Sequence, residues 1–265
     1  MPEHLCILGD SHASGFRRLI RDGAAGPYRF DCYAHSSRVD INMGMMRATS
    51  SGHLVPTSAP LKESLDKRFS SHRVDVNRYA AICLIGLRLE FPYKLVNDYY
   101  HHRDELKSML CTQSVFASAQ RDLIVDQSIS MKLALEIRKI NADIPLVIVP
   151  NPLLSAQLKS TGTKTLLGIE PRVAIPPVRF FARDSWPEWR SILEQAFAGL
   201  NASFLYQPDE TVTDGIFTPS EFATSDGRDG GLRHMNAAFW EKLYLRLPGC
   251  LGKRTAVPRS SGQGA

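Results

Sequence analysis

Five short apolar runs are separated by longer stretches in which apolar residues recur every three or four positions. The runs cover about residues 4–8, 29–33, 80–86, 145–149 and 203–206. The third and fourth runs are apolar almost without interruption, which is typical of strands buried on both faces of a parallel sheet. Because helical patterns lie between most of the runs, we expect a three-layer α/β/α fold around a central parallel sheet of about five strands.

The helical patterns differ in how clearly their ends are marked. The longest periodicity covers about residues 116–140. Another helix is expected to begin at Ser185, because Ser185 and Glu188 form a capping box and Pro187 is tolerated in a first turn. The last predicted helix covers about residues 236–247. Its core face consists of Phe239, Trp240, Leu243, Tyr244 and Leu247.

Two long connections carry no sustained periodicity. Residues 34–60 are rich in Ser, Met, Gly and Pro, and residues 207–233 contain one short helical turn, near 219–222. Long irregular stretches are functional or mobile, and the first of them would lie at the carboxyl edge of the sheet. The length suits one domain over residues 1–250, followed by a tail, 251–265, that we expect to be disordered.

The strongest candidate for chemistry follows the first apolar run. That run ends in Gly9-Asp10-Ser11, and an amphipathic segment follows at once, so the pattern predicts strand, tight turn and helix. Such a turn lies at the carboxyl edge of a parallel sheet, where ligands bind, and it presents the Ser11 hydroxyl beside free helix N-terminal amides. Asp10 joins the candidate oxyanion and substrate-binding residues. Asp10 and Ser11 are also common helix caps, which is the competing structural interpretation.

A histidine just before the last predicted helix is the candidate partner of Ser11. Residues 9–11 and 234–236 resemble the first and last blocks of the SGNH (GDSL-like) hydrolase family. The two blocks lie near the two ends of the chain, so the resemblance spans nearly all of it. It implies a flavodoxin-like fold, with Ser11 as nucleophile and His234 as general base. The family carries an aspartate three residues before its catalytic histidine, whereas this chain has Gly231 there.

Two aspartates upstream of His234 are candidates for the acid that orients it. Asp229 lies five residues before His234 in a Gly-rich turn, and Asp226 is the second candidate. Each precedes a glycine, so both also fit the role of turn formers. A backbone carbonyl on the other ring nitrogen of His234 would serve as well, and these three alternatives stay open.

The resemblance also implies a set of donors for an oxyanion. The Ser11 amide is one, and Gly44 and Gly86 match glycines that follow the second and third strands of the family. Arg88 stands where the family has an asparagine. A guanidinium can stabilise an oxyanion or bind a substrate carboxylate or phosphate. The structural alternative is an ion pair between Arg88 and Glu90.

Other chemistries find less support. Asp10 and His12 fit the Asp-x-His opening of metallophosphoesterases, but the later Gly-Asp-x-x-Asp and Gly-Asn-His blocks do not occur. The polar segment 101–105 has two histidines without metalloprotease spacing, which favours a solvated helix face. No GxGxxG motif or P-loop occurs, so we expect no metal and no organic cofactor.

Charge, cysteine content and the lack of long apolar runs limit the partners and the cellular compartment that we expect. The net charge of +5 is scattered rather than gathered in a patch with aromatic residues, so we expect no nucleic-acid partner. The five cysteines form no CxxC pair, which favours free thiols in a reducing compartment. The chain lacks an apolar run of about 20 residues and a signal-peptide pattern, so we expect a cytoplasmic protein without a membrane span.

These observations predict a serine-dependent hydrolase of esters or thioesters that works through an acyl-serine intermediate. The expected substrate is a small-molecule or glycan acyl ester, such as an O-acylated carbohydrate. Acyl transfer to a sugar hydroxyl would use the same residues. The departures at Gly231 and Arg88 keep a third hypothesis open, a non-catalytic carbohydrate-binding or assembly protein on a degenerate scaffold.

Overall fold

A computed structural model describes residues 3–23, 26–34, 46–69, 71–93, 113–157, 182–224 and 234–251. Eight strands lie within these ranges. They are β1 (Glu3–Gly9), β2 (Tyr28–Ala34), β3 (Met46–Ala48), β4 (His53–Pro56), β5 (Val74–Asp75), β6 (Ala81–Ile85), β7 (Leu146–Val149) and β8 (Ala202–Phe204).

Seven α-helices and three single-turn 3₁₀ helices lie in the same ranges. The α-helices are α1 (Ala13–Arg21), α2 (Ala59–Phe69), α3 (Gln113–Gln127), α4 (Ile129–Ile140), α5 (Ala182–Ala196), α6 (Ala237–Tyr244) and α7 (Leu247–Leu251). The 3₁₀ helices cover Val76–Arg78, Asp209–Thr211 and Ser220–Phe222.

The five strands predicted from the apolar runs form one parallel sheet. Its order is β2-β1-β6-β7-β8, and every neighbouring pair is parallel. Strand β1 therefore lies between β2 and β6, with Gly9 opposite Ala34 on one side and Ile85 on the other. Helices flank the sheet on both faces, so the predicted three-layer, flavodoxin-like α/β fold is confirmed.

Alternate residues of the strands point to opposite faces of the sheet and pack into two separate hydrophobic cores. Leu5 and Ile7 pack with apolar residues of α1, α6 and α7. Cys6 and Leu8 point to the opposite face, where α2 to α5 and the small strands β3 to β5 lie. This alternation follows from the two-residue period of a strand, and it places α1 and α6 side by side on one face of the sheet.

The segment 34–60 is less irregular than its composition predicts. Strands β3 and β4 pair antiparallel within it, and β5 adds a third strand. This sheet packs on α4, where the Ala48 N–H donates to Glu136 Oε2 over 2.8 Å. Strands of two to four residues are too short for an alternating pattern to be visible in the sequence. Residues 35–45 lie outside the described part.

Two helix boundaries differ from the prediction. The periodicity over 116–140 belongs to two helices, because Ser128 separates them and its Oγ accepts a hydrogen bond from the Met131 N–H at the start of α4. Ser185 is not an N-cap, since α5 begins at Ala182 and Ser185 is buried within it. Tertiary packing has overridden the local capping signal at Ser185.

The last predicted helix begins where the sequence places it. Asn236 caps α6 by accepting a hydrogen bond from the Phe239 N–H over 3.2 Å. All the residues of its predicted core face are buried. The 3₁₀ turn Ser220–Phe222 confirms the short helical turn predicted near 219–222. Residues 252–265, which make up nearly all of the predicted tail, lie outside the described part.

Within the described ranges, no helix combines the length and the apolar character needed to cross a bilayer.

Candidate active site

Ser11 lies in the turn between β1 and α1, at the carboxyl edge of the parallel sheet. The turn is closed by the Ala13 N–H, which donates to the Asp10 carbonyl, and Asp10 N–H reaches across to the Ile85 carbonyl of β6. The Ser11 side chain is half-buried. Its backbone N–H donates to no other described residue, so it is available to a ligand at this edge.

His234 lies next to Ser11. Its Nε2 is 3.3 Å from Ser11 Oγ, although the two residues are 223 positions apart in the chain. The predicted proximity of the two side chains is therefore confirmed. When the ring proton is on Nδ1, Nε2 accepts the hydrogen bond from the serine hydroxyl, as a general base must.

A short backbone clamp holds the segment that carries His234. Met235 forms an antiparallel bridge with Ala223. On either side of it, the Thr224 N–H donates to the His234 carbonyl over 3.0 Å, and the Asn236 N–H donates to Phe222 over 2.8 Å. The clamp fixes the backbone of His234 just before α6 begins.

Packing between α1 and α6 brings this clamp to Ser11. The ring of Trp240 lies directly over Gly15, where any Cβ would overlap the indole. The indole also packs edge-on against Phe16, with 5.4 Å between ring centroids. Its Nε1–H donates to the Met235 carbonyl over 3.1 Å. One side chain thus ties the segment of His234 to the helix that follows Ser11.

Asp10 points into the protein rather than towards a ligand space. It is 3% exposed, and its Oδ1 lies 2.9 Å from both the backbone N and Nδ1 of His12. Its Oδ2 accepts from the Leu87 N–H over 2.7 Å. Burial by itself would raise the pKa of Asp10, but the charge of His12 and the hydrogen bonds from His12 and Leu87 outweigh burial and lower it. Asp10 is therefore ionised, and the Nδ1 proton of His12 faces it.

The ring of His12 stacks on the ring of His234. Their centroids are 5.4 Å apart and the planes are inclined by 18°. Asp10, His12 and His234 thus form a row that ends at the Ser11 hydroxyl. A positive charge on His234 would lie next to the His12 ring, which is backed by the Asp10 carboxylate.

Asn151 follows β7 at the same edge and reaches His12. Its Nδ2 lies 3.2 Å from His12 Nδ1, and its buried Oδ1 has no partner in the described chain. Because the Nδ1 proton is directed at Asp10, a second donor beside it is unfavourable. Turning the amide over would pair its oxygen with Nδ1–H and leave the NH₂ group unpaired. In either orientation one buried polar atom of Asn151 stays unsatisfied.

The loop after β6 has a left-handed backbone over three successive residues. The φ angles are 72° at Gly86, 56° at Leu87 and 59° at Arg88. A Cβ on Gly86 would overlap the Asp10 carboxylate. The Leu87 carbonyl accepts from the N–H groups at the start of α4, from Ile129 and Ser130. Asp10 and α4 thus hold the strained loop from its two sides.

Of the remaining predicted residues, Gly86 and Arg88 lie in the described ranges, in the loop after β6. Arg88 is exposed at this edge and makes no ion pair with Glu90 or another described residue, so its role stays a prediction. Gly86 contributes close approach to Asp10. Gly44, Asp226 and Asp229 lie outside the described residues. The orientation of His234 by either aspartate therefore stays a prediction.

Two members of the site, His12 and Asn151, are not predicted by the sequence patterns. The Asp-x-His spacing suggests only a metal role for His12, and among the described residues no three His, Cys, Asp or Glu side chains are grouped to hold a metal ion. The sequence does contain a signal for Asn151, since residues directly after each parallel strand meet at one edge, and Asn151 follows the apolar run that forms β7.

Comparisons of this chain with family models, with curated proteins and with solved structures give no match.

Proposed function

We propose that the protein is a serine-dependent hydrolase of ester or thioester bonds, with Ser11 as nucleophile and His234 as general base. The observation that carries the proposal is the 3.3 Å contact between Ser11 Oγ and His234 Nε2. A contact of this length is close to hydrogen-bond reach for proton transfer, and it occurs in a strand–turn–helix setting at the carboxyl edge of the sheet.

The chemistry follows from this pair. His234 Nε2 takes the hydroxyl proton while Ser11 Oγ bonds to the acyl carbon, and the free Ser11 N–H donates to the developing oxyanion. The proton then passes from His234 to the leaving alcohol or thiol as the bond to it breaks. Water, deprotonated by the same nitrogen, releases the acid from the acyl-serine.

The neighbouring pair of Asp10 and His12 supports this sequence electrostatically. His234 carries a positive charge while it holds the serine proton. Asp10 supplies a fixed negative charge behind the stacked ring of His12, and such preorganised charge lowers the energy of the charged state. The acyl donor we favour is a small or glycan ester, including O-acylated sugars.

The experiment is covalent labelling with a fluorophosphonate probe, together with hydrolysis of p-nitrophenyl acetate. The probe is expected to modify Ser11, as located by peptide mass spectrometry. Ser11→Ala and His234→Gln are each expected to lose turnover by a factor of about 10⁴ or more, as for other serine–histidine pairs that act as a unit. Ser14→Ala is the matched control, since Ser14 is exposed one turn along α1.

Two outcomes would overturn the proposal. One is turnover in purified Ser11→Ala equal to that of the unmodified protein. The other is a folded protein that neither reacts with the probe nor hydrolyses any ester in a panel of acetylated sugars, p-nitrophenyl esters and thioesters. The second outcome would favour a non-catalytic binding protein on this scaffold.

A further inference from the structure

A cavity of about 700 Å³ lies beside the sheet, between α1, the edge strand β2 and the small antiparallel sheet. Its volume is in the range of pockets that accept small organic ligands, about 300–1,000 Å³. None of Ser11, His12 and His234 is among the described residues that line it. The cavity is therefore separate from the candidate active site.

Charged side chains from several elements converge on this space. Two arginines come from α1 and two from the segment of β5 and its following turn, and the carboxylates come from β2 and β5. The charged residues are Arg17, Arg21, Arg73, Arg78, Asp31 and Asp75. With four guanidinium groups against two carboxylates, the described lining carries an excess of two positive charges before His53 is considered.

Both carboxylates are already used by the protein. Asp31 accepts a hydrogen bond from the Tyr79 hydroxyl over 2.9 Å and lies 3.2 Å from His4 Nε2 and 3.9 Å from Arg78. Asp75 accepts from a backbone N–H at the turn that follows it, over 3.1 Å. They therefore offer little compensation to the other arginines.

Two of the arginines have no ion pair with any described residue. They are Arg17 on α1 and Arg73 just before β5. Arg21 makes only an exposed contact with Asp22, over 3.0 Å. Exposed arginines are ordinarily solvated surface groups, but here they share one concave space, and in a cleft the potentials of like charges add.

We propose that this cavity binds a small molecule that carries a phosphate group. A guanidinium presents a planar fork of donors that matches phosphate oxygens, and a dianionic group can engage more than one such fork. Ile20 and Phe30 line the same cavity and supply apolar surface for the body of the ligand. The inference does not depend on the hydrolase proposal, because it uses none of the same residues.

The test is isothermal titration of the full-length protein with phenyl phosphate, which joins a phosphate to an apolar ring. Saturable binding with one-to-one stoichiometry is expected, and it should weaken as salt is added. Arg17→Gln and Arg73→Gln should each weaken binding by about tenfold or more, the usual worth of a charge-assisted hydrogen bond. Arg18→Gln is the matched control, since Arg18 neighbours Arg17 on α1 but does not line the cavity.

Phthalate, an aromatic dicarboxylate, is the competing ligand. Phthalate binding that is tighter than phenyl phosphate binding would overturn the choice of phosphate. The absence of saturable binding at millimolar ligand would overturn the site itself. So would equal weakening by Arg18→Gln, since it would mean that the ligand is attracted to the overall positive charge of the protein and not to the cavity.

A second measurement locates the ligand. Cys32 lines the cavity, whereas Cys250 lies near β8 at the opposite edge of the sheet. Phenyl phosphate should slow alkylation of Cys32 and leave that of Cys250 unchanged, as followed by peptide mass spectrometry. Equal effects on both thiols would count against binding in the cavity.

Discussion

Asp10 holds His12 by two hydrogen bonds of 2.9 Å, one from the backbone N–H and one from Nδ1 of the ring. The second oxygen of the carboxylate binds the Leu87 N–H over 2.7 Å. One buried charge thus connects the turn after β1, the ring beside His234 and the loop after β6. The candidate active site depends on this carboxylate without exposing it.

Asp10→Asn is expected to destabilise the protein by about 3–5 kcal/mol, the usual cost of removing one partner of a buried charged pair. An amide has a single acceptor oxygen, so its NH₂ group must face either the donors of His12 or the Leu87 N–H. Urea unfolding at neutral pH measures the change. Asp122→Asn, at an exposed position of α3, is the control and should stay within about 0.5 kcal/mol.

The same substitution should change the dependence of stability on pH. The pKa of Asp10 is lowered in the folded protein, so its contribution is fully present above the unfolded value of about 4. It is lost as the pH falls through the lower folded pKa. Asp10→Asn should therefore lose less stability on acidification than the unmodified protein. Parallel pH profiles would mean that Asp10 contributes nothing through its charge.

Gly86→Ala should lower the free energy of unfolding by about 3 kcal/mol or more. An alanine at this position is strained by the left-handed backbone, and its Cβ also overlaps the Asp10 carboxylate. Gly23→Ala isolates the strain, since its φ is 91° and nothing lies within 4 Å of the added Cβ. That control should cost about 1–2 kcal/mol. Denaturant unfolding compares the two, and equal losses would show that Asp10 moves aside at little cost.

The inner strands of the main sheet, β1, β6 and β7, were predictable because they are buried on both faces. Runs such as the one that became β7 are apolar at every position, a pattern that few other elements produce. The small strands β3 to β5 could not be found, since they have two to four residues and depend on contacts with α4. Their stability is tertiary rather than local.

Within the candidate site, Ser11 and His234 were predictable from their places in the topology. Ser11 follows a strand and begins a helix, and His234 precedes the last helix, so topology alone brings them to one edge. The stacking of His12 on His234 and the contact of Asn151 with His12 depend on side-chain directions. No spacing in the sequence encodes those directions.

Arg88 remains the predicted replacement for the asparagine of the family resemblance. If its guanidinium stabilises the oxyanion, Arg88→Ala should lower turnover of p-nitrophenyl acetate by about 10²–10³. If it recognises substrate, the loss should appear only with acidic or phosphorylated esters and chiefly in KM. Arg88 is exposed and without an ion pair to another described residue, so stability should change little. Normal kinetics with every substrate would contradict both roles.

Substitution of Asn151 is expected to change activity and stability in opposite directions. It is 6% exposed and keeps one polar side-chain atom without a partner in the described chain, a condition that costs about 1–3 kcal/mol. Asn151→Leu removes that unsatisfied group at similar volume. The free energy of unfolding should therefore stay the same or rise, since the backbone N–H of residue 151 still donates to the Leu89 carbonyl.

The activity of Asn151→Leu should fall instead. The Asn151 amide lies 3.2 Å from His12 at the edge that carries Ser11, and a buried polar atom without a partner in the described chain is often explained by a catalytic role. We expect kcat for p-nitrophenyl acetate to drop by about tenfold to a hundredfold, with KM nearly unchanged if the group acts only on the transition state. A rise in KM alone would mean that Asn151 binds the ground state. A variant that loses stability while kcat is unchanged would show that Asn151 only supports the ring of His12, and that the unsatisfied atom serves no ligand.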